Sequence, residues 1–177
     1  GNYQYNLYDL SKKFGSSVEI FMPFVLEQRL SRLFEVFNLN IKRYGYKGKF
    51  TYHYPMKVNQ NKEYVLPLVA DGAHLEVGSV NELWLVKKLW QAENFHARFR
   101  VLCNGPKTEP YLQLIYQLRS LGLTIIPIIE DIGELNLLKD FKGDLGIRVN
   151  LQSKFKTRWD KKVDRFGLLA SEILALG

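Results

Sequence analysis

Cysteine is nearly absent: Cys103 stands alone, so no internal disulfide framework can form. Histidine is scarce as well, and the three present, His53, His74 and His96, stand far apart in the chain without zinc-type ligand spacing. No long hydrophobic run exists. The longest strongly apolar stretch, residues 123–129, falls far short of the roughly 18 to 20 residues of a membrane helix. The first residues lack the basic-then-apolar order of a signal peptide. No linker, low-complexity tract or repeat interrupts the chain. A disulfide-stapled or membrane-spanning protein is thereby disfavoured, and a reducing cytoplasm is the expected location.

What remains is ordinary globular composition. With 46% hydrophobic and 24% charged residues over 177, the chain is too apolar for disorder and long enough to bury a core. Acid is in deficit, at 18 Asp plus Glu against 25 Lys plus Arg, for a net charge of +7. The excess is concentrated at residues 154–165, where Lys154, Lys156, Arg158, Lys161, Lys162 and Arg165 are interleaved with Phe155 and Trp159. Such a stretch either binds phosphate groups, which keeps nucleic acid as an alternative partner, or forms a solvated surface.

Residues 1–20 are polar and tyrosine-rich without a clear period, and read as an irregular lead-in. Leu26, Leu30, Leu33, Phe34, Phe37, Ile41 and Tyr44 then recur at helical steps, ending at Gly45. From there short apolar runs alternate with longer amphipathic ones. Strands are predicted at 50–57, 74–77, 99–103, 124–129 and 145–149, and helices at 62–70, 80–91, 109–121, 132–140 and 168–176. Ser79 with Glu82, and Asp131 with Glu134, have capping-box spacing just after a strand, and Gly122 suits a left-handed helix end.

Alternating strands and helices imply a parallel sheet. A closed eight-unit βα barrel takes about 250 residues, so five units behind a helix leave roughly three missing. The expected class is α/β, a partial TIM-type barrel, with residues 1–48 as lead-in segment and helix and 49–177 as the first five βα units. A small open α/β sheet is the alternative, since periodicity does not separate the two.

Lys57 stands out, at the C-terminal end of a strand otherwise made of Phe, Tyr, His and Met. Barrel active sites sit at that face. A lysine partly removed from water loses its proton more readily, as a Schiff-base nucleophile must; the same position also suits a lysine reaching solvent. Pro55 is discordant inside a strand.

Several blocks carry a resemblance. Tyr44-Gly45-Tyr46-Lys47-Gly48, Tyr54-Pro55-Met56-Lys57-Val58-Asn59-Gln60, Leu75-Glu76-Val77-Gly78-Ser79 with Glu82-Leu83, and Cys103-Asn104-Gly105 with Lys107 are similar to biosynthetic arginine decarboxylase. Gly146-Ile147-Arg148-Val149 and Arg165-Phe166-Gly167-Leu168 extend the likeness in the same order. That family comprises pyridoxal-phosphate (PLP) decarboxylases with an alanine racemase-like barrel.

The resemblance implies that Lys57 is the Schiff-base lysine, that Glu76 lies near the cofactor and that lysine, and that Arg148 lies close to the cofactor ring. Glu82 matches another acidic position of the site, and Asn59 and Asn104 match polar strand-end positions. The reaction implied is decarboxylation of an amino-acid substrate, arginine to agmatine in polyamine biosynthesis, in a homo-oligomeric parent. Two departures qualify this. Residues 155–160 replace a glycine-rich family stretch with a shorter, more basic one, which suits a carboxylate or phosphate better than a guanidinium. The family's ring-stacking histidine, phosphate cradle and pyridine-pairing glutamate have no counterpart here, so the isolated chain is expected to be inactive and to hold PLP weakly. Its open sheet edges are expected to promote self-association. The alternatives are a decarboxylase for ornithine, lysine, diaminopimelate or a carboxy-polyamine, a non-catalytic regulatory homologue, and a nucleic-acid-binding α/β domain.

Overall fold

The computed structural model describes residues 4–92, 99–150 and 166–175. The basic stretch at 154–165 and the loop at 155–160 lie outside the described residues.

Helix α1 (Leu7–Phe14) corrects the irregular lead-in expected over 1–20. Asn6 caps it, its Oδ1 accepting the N–H groups of Tyr8 and Asp9 at 3.0 and 3.4 Å. Helix α2 (Pro23–Arg43) begins on proline, which suits a first turn, and closes through Gly45 at φ +62°. There the Tyr46 N–H reaches back to the Ile41 carbonyl at 3.0 Å.

Five βα units follow: β1 (His53–Pro55), α3 (Lys62–Ala70), β2 (His74–Val77), α4 (Val80–Ala92), β3 (Arg100–Cys103), α5 (Glu109–Ser120), β4 (Thr124–Ile129), α6 (Glu134–Leu138), β5 (Gly146–Ile147) and α7 (Ala170–Leu174). The strand predicted over 50–57 shrinks to three residues. Pro55 has no N–H for the ladder, and after Met56 donates to the Glu76 carbonyl at 2.9 Å the chain turns. The strand predicted over 145–149 keeps two residues in the ladder, although Arg148 N–H still reaches the Ile129 carbonyl at 3.0 Å and Val149 forms a parallel bridge with Leu168. That bridge pulls Leu168 out of the last helix, which is shorter than predicted, as is α6.

All four pairings are parallel, and the strand order is β1-β2-β3-β4-β5, without the reversal of a doubly wound sheet. Side chains alternate across the sheet as the period of two requires. Tyr54, Leu75, Val77, Val101, Cys103, Ile125 and Ile129 are buried and join Leu30, Val65, Leu83, Val86, Ile115 and Leu118 of the helices in one core cluster. The alternate residues, His53, Glu76, Arg100 and Leu102 among them, line the opposite face and stay half-exposed. The fold therefore leaves one sheet face for polar chemistry.

Candidate active site

Lys57, Glu76, Asn104 and Arg148 fall at or just past the C-terminal end of a strand, whereas Asn59 lies on the loop after β1 and Glu82 in the first turn of α4. Lys57 lies on the turn after β1 and is exposed, rather than partly withdrawn from water, and it makes no ion pair or hydrogen bond among the described residues. Asn59 shapes that turn: its carbonyl accepts the Tyr54 hydroxyl at 3.0 Å, and its Oδ1 accepts the Asn61 N–H at 3.0 Å.

The loops are then joined one to the next. Gln60 Nε2 donates to Glu82 Oε1 at 2.9 Å, tying the β1 loop to the start of α4. The expected capping box is half present. Ser79 Oγ accepts the Glu82 N–H at 3.3 Å, but the Glu82 carboxylate passes over Ser79 to take the Gly78 N–H at 2.7 Å. Glu76, on the open sheet face, accepts Asn104 Nδ2 at 2.6 Å, and Asn104 N–H donates to the Val77 carbonyl at 2.8 Å. Gly105, at φ +78°, packs so closely on the Gly78 carbonyl that a Cβ would overlap it.

The next link was not singled out in the sequence. Glu130, whose side chain is 2% exposed, accepts the Gly105 N–H at 2.7 Å and Arg148 Nη1 at 3.1 Å. Lys107, fully buried, donates from Nζ to the carbonyls of Gly105 and Ile128 and lies 3.5 Å from Glu134 Oε2. Glu134 does not close a box on Asp131. Instead it accepts the backbone N–H groups of Lys107 at 2.9 Å and Glu130 at 3.0 Å. Two anions and two cations thus brace the ends of β3, β4 and β5. Arg148 keeps its side chain 41% exposed, with the guanidinium carbon 5.3 Å from the Phe166 ring centroid. Burial pushes the Lys107 ammonium below its ordinary range, opposed by Glu134 and Glu130.

Beneath this layer Cys103 is buried, and burial pushes its thiol up to about 12, overriding the opposing hydrogen bond with Tyr111. Folded chain is therefore expected to resist iodoacetamide at pH 8 and to alkylate only on unfolding. Mass spectrometry showing complete native labelling within minutes would contradict this burial.

Polar groups gathered at the carboxyl ends of consecutive parallel strands define an α/β protein whose candidate site lies where such folds carry enzyme chemistry. The chain is similar to part of several biosynthetic arginine decarboxylases. It is 34% identical over 170 residues to that of Vibrio cholerae, covering 87% of this chain and 26% of the relative. It is 31% identical over 164 residues to that of Rhodopirellula baltica. A crystal structure of the biosynthetic arginine decarboxylase from Campylobacter jejuni superposes with a TM-score of 0.69 at 29% identity, over 86% of this chain and 26% of that one. This chain thus spans about a quarter of the length of these relatives. No family model matches it. Among the described residues no helix is long and apolar enough to cross a membrane, and no metal-ligand cluster forms.

Proposed function

We propose that this chain is the N-terminal part of a PLP-dependent arginine decarboxylase: a preceding segment, residues 1–48, and the first five βα units of a barrel, residues 49–177. The observation that carries the reading is the coincidence of 30–34% identity to arginine decarboxylases over about 86% of the chain with the common location of Lys57, Glu76, Asn104 and Arg148 at the strand C-termini. The consecutive strand order and the single helix-covered face favour a barrel over a doubly wound sheet.

The donor set fits PLP. Lys57 offers an exposed primary amine without a competing partner among the described residues, and Glu76 and Arg148 supply an acid and a half-exposed guanidinium at the same end of the sheet. PLP bound here would supply a sink for the electron pair left when a substrate carboxylate departs as carbon dioxide. Lys57 would hold the cofactor through Nζ, with Glu76, held by the Asn104 amide, supplying negative charge and Arg148, held by Glu130, supplying positive charge at the same end of the sheet. Glu82 ties the loops after β1 and β2 together through Gln60 and the Gly78 N–H.

In the natural-length protein, Lys57→Ala is expected to lower arginine decarboxylation about a thousandfold, or some 4 kcal/mol of barrier, measured as carbon dioxide release. Turnover within tenfold of the unsubstituted protein would remove Lys57 from the reaction. Parallel assays with ornithine, lysine and diaminopimelate decide the substrate: release from one of these and none from arginine overturns the arginine assignment.

A further inference from the structure

The opposite ends of the same strands carry an arrangement that decarboxylation leaves unused. The register pairs His53 with His74 and Arg100 with Thr124, and the Leu75–Val101 pair sets His74 beside Arg100. All four lie on the sheet face turned away from the helices, because Tyr54, Leu75, Val101 and Ile125 occupy the buried face. Adjacent strands lie about 4.8 Å apart, so three basic side chains stand shoulder to shoulder across β1, β2 and β3.

Their contacts are those of a half-built site. The His53 and His74 ring centroids are 5.0 Å apart. His74 Nδ1 accepts the Arg100 backbone N–H at 3.2 Å, which leaves its ring proton on Nε2 as a donor. His53 Nε2 is buried and has no hydrogen-bond partner among the described residues. A buried polar atom of this kind calls for an ion or water to satisfy it. Burial, then His74 and Arg100, push His53 down to about 4, and burial, Arg100 and Lys49 push His74 down. The ion pairs among the described residues are Arg32–Glu35, Lys107–Glu134 and Arg148–Glu130, so no described carboxylate pairs with Arg100.

We propose that His53, His74 and Arg100, with Lys49 and Thr124 at the margin, form a binding site for a doubly charged tetrahedral oxyanion of the phosphate class. A single carboxylate would balance Arg100 alone. A dianion balances Arg100 and one histidinium together, and its several oxygens suit a guanidinium fork beside imidazole donors. The site lies at the far end of the strands from Lys57 and Glu76, and does not rest on the cofactor reading.

The pH dependence follows from the charges. Without a ligand, His53 is held below its unfolded value of 6.5, so its contribution to stability is present above pH 6.5 and is lost as pH falls towards about 4. A bound dianion favours the protonated rings, so binding tightens from pH 7.5 to 6.

Sulfate, whose charge is constant over that range, and inorganic phosphate are the probes. Each is titrated into the chain at ionic strength held fixed with chloride, with the histidine ring signals followed by NMR. Saturable shifts at His53 and His74 are expected, with tightening at lower pH. Arg100→Gln should weaken binding at least about tenfold, and Lys49→Gln, at an exposed residue, about threefold. Linear shifts reproduced by chloride alone, or unchanged affinity in either variant, would overturn the proposal.

Discussion

Gly105→Ala should cost about 3 kcal/mol or more of stability, read as a lowered urea midpoint with an unchanged slope. Two independent causes add. The backbone at φ +78° lies in the left-handed region, where a Cβ costs about 1 to 2 kcal/mol. The same Cβ would also overlap the Gly78 carbonyl, and that backbone cannot give way cheaply, because the adjoining Gly78 N–H is held by Glu82 at 2.7 Å. Gly122→Ala separates the two causes. Gly122 has φ +97° with open space where the Cβ would stand, so it should show the backbone cost alone. Equal losses in both variants would mean that the close approach of the β2 and β3 loops does not constrain this end of the sheet. A larger loss at Gly105 would show that the close contact with the Gly78 carbonyl adds to the backbone cost.

The sequence revealed most where the information was local. The β2 and β4 strands and α3 fall where alternation, flanking glycines and apolar period place them, and Gly122 ends α5 as its freedom at positive φ suggests. Pro55 closes β1, as its discord inside a strand suggests. Other departures arise where a partner outside the segment decides: Leu168 is drawn from its predicted helix by a bridge to Val149. Helix α1 is marked in the sequence by Asn6 ahead of Asp9 and by Leu7, Leu10 and Phe14 at helical steps, a signal kept weak by the helix's eight residues. Among the candidate residues, Glu76 and Asn104 are marked only by the resemblance, and their 2.6 Å hydrogen bond joins β2 to the turn after β3. Glu130 escaped for the same reason: its partners, Gly105 and Arg148, come from strands on either side. Glu134 has the spacing of a local cap from Asp131, whereas its carboxylate is taken by the N–H groups of Lys107 and Glu130. The histidines that stand apart in sequence, His53 and His74, become neighbours because one βα unit returns the chain to the same layer.

Lys107→Met is expected to cost about 3 to 5 kcal/mol, the range for removing one partner of a buried ion pair. The substitution keeps an unbranched side chain of similar length, so the loss is electrostatic rather than a cavity. Three acceptors lose the ammonium together: the Gly105 and Ile128 carbonyls and Glu134 Oε2. Glu134, 8% exposed, would keep only the N–H groups of Lys107 and Glu130, too few to replace a full positive charge. Adding Glu134→Gln removes the stranded charge while retaining an amide oxygen for those N–H groups, and should recover about 1 to 2 kcal/mol. The effect should also travel. The Lys107 ammonium holds the Gly105 carbonyl, the Gly105 N–H holds Glu130, and Glu130 holds Arg148. Hydrogen exchange in Lys107→Met should therefore quicken at the Gly105 and Arg148 amides before it does in α3, which lies outside the chain of contacts. Uniform loss of protection across the sheet would show a general loosening. Loss confined to β3, β4 and β5 would show that the buried lysine, distant in sequence from Arg148, is what keeps that guanidinium in place.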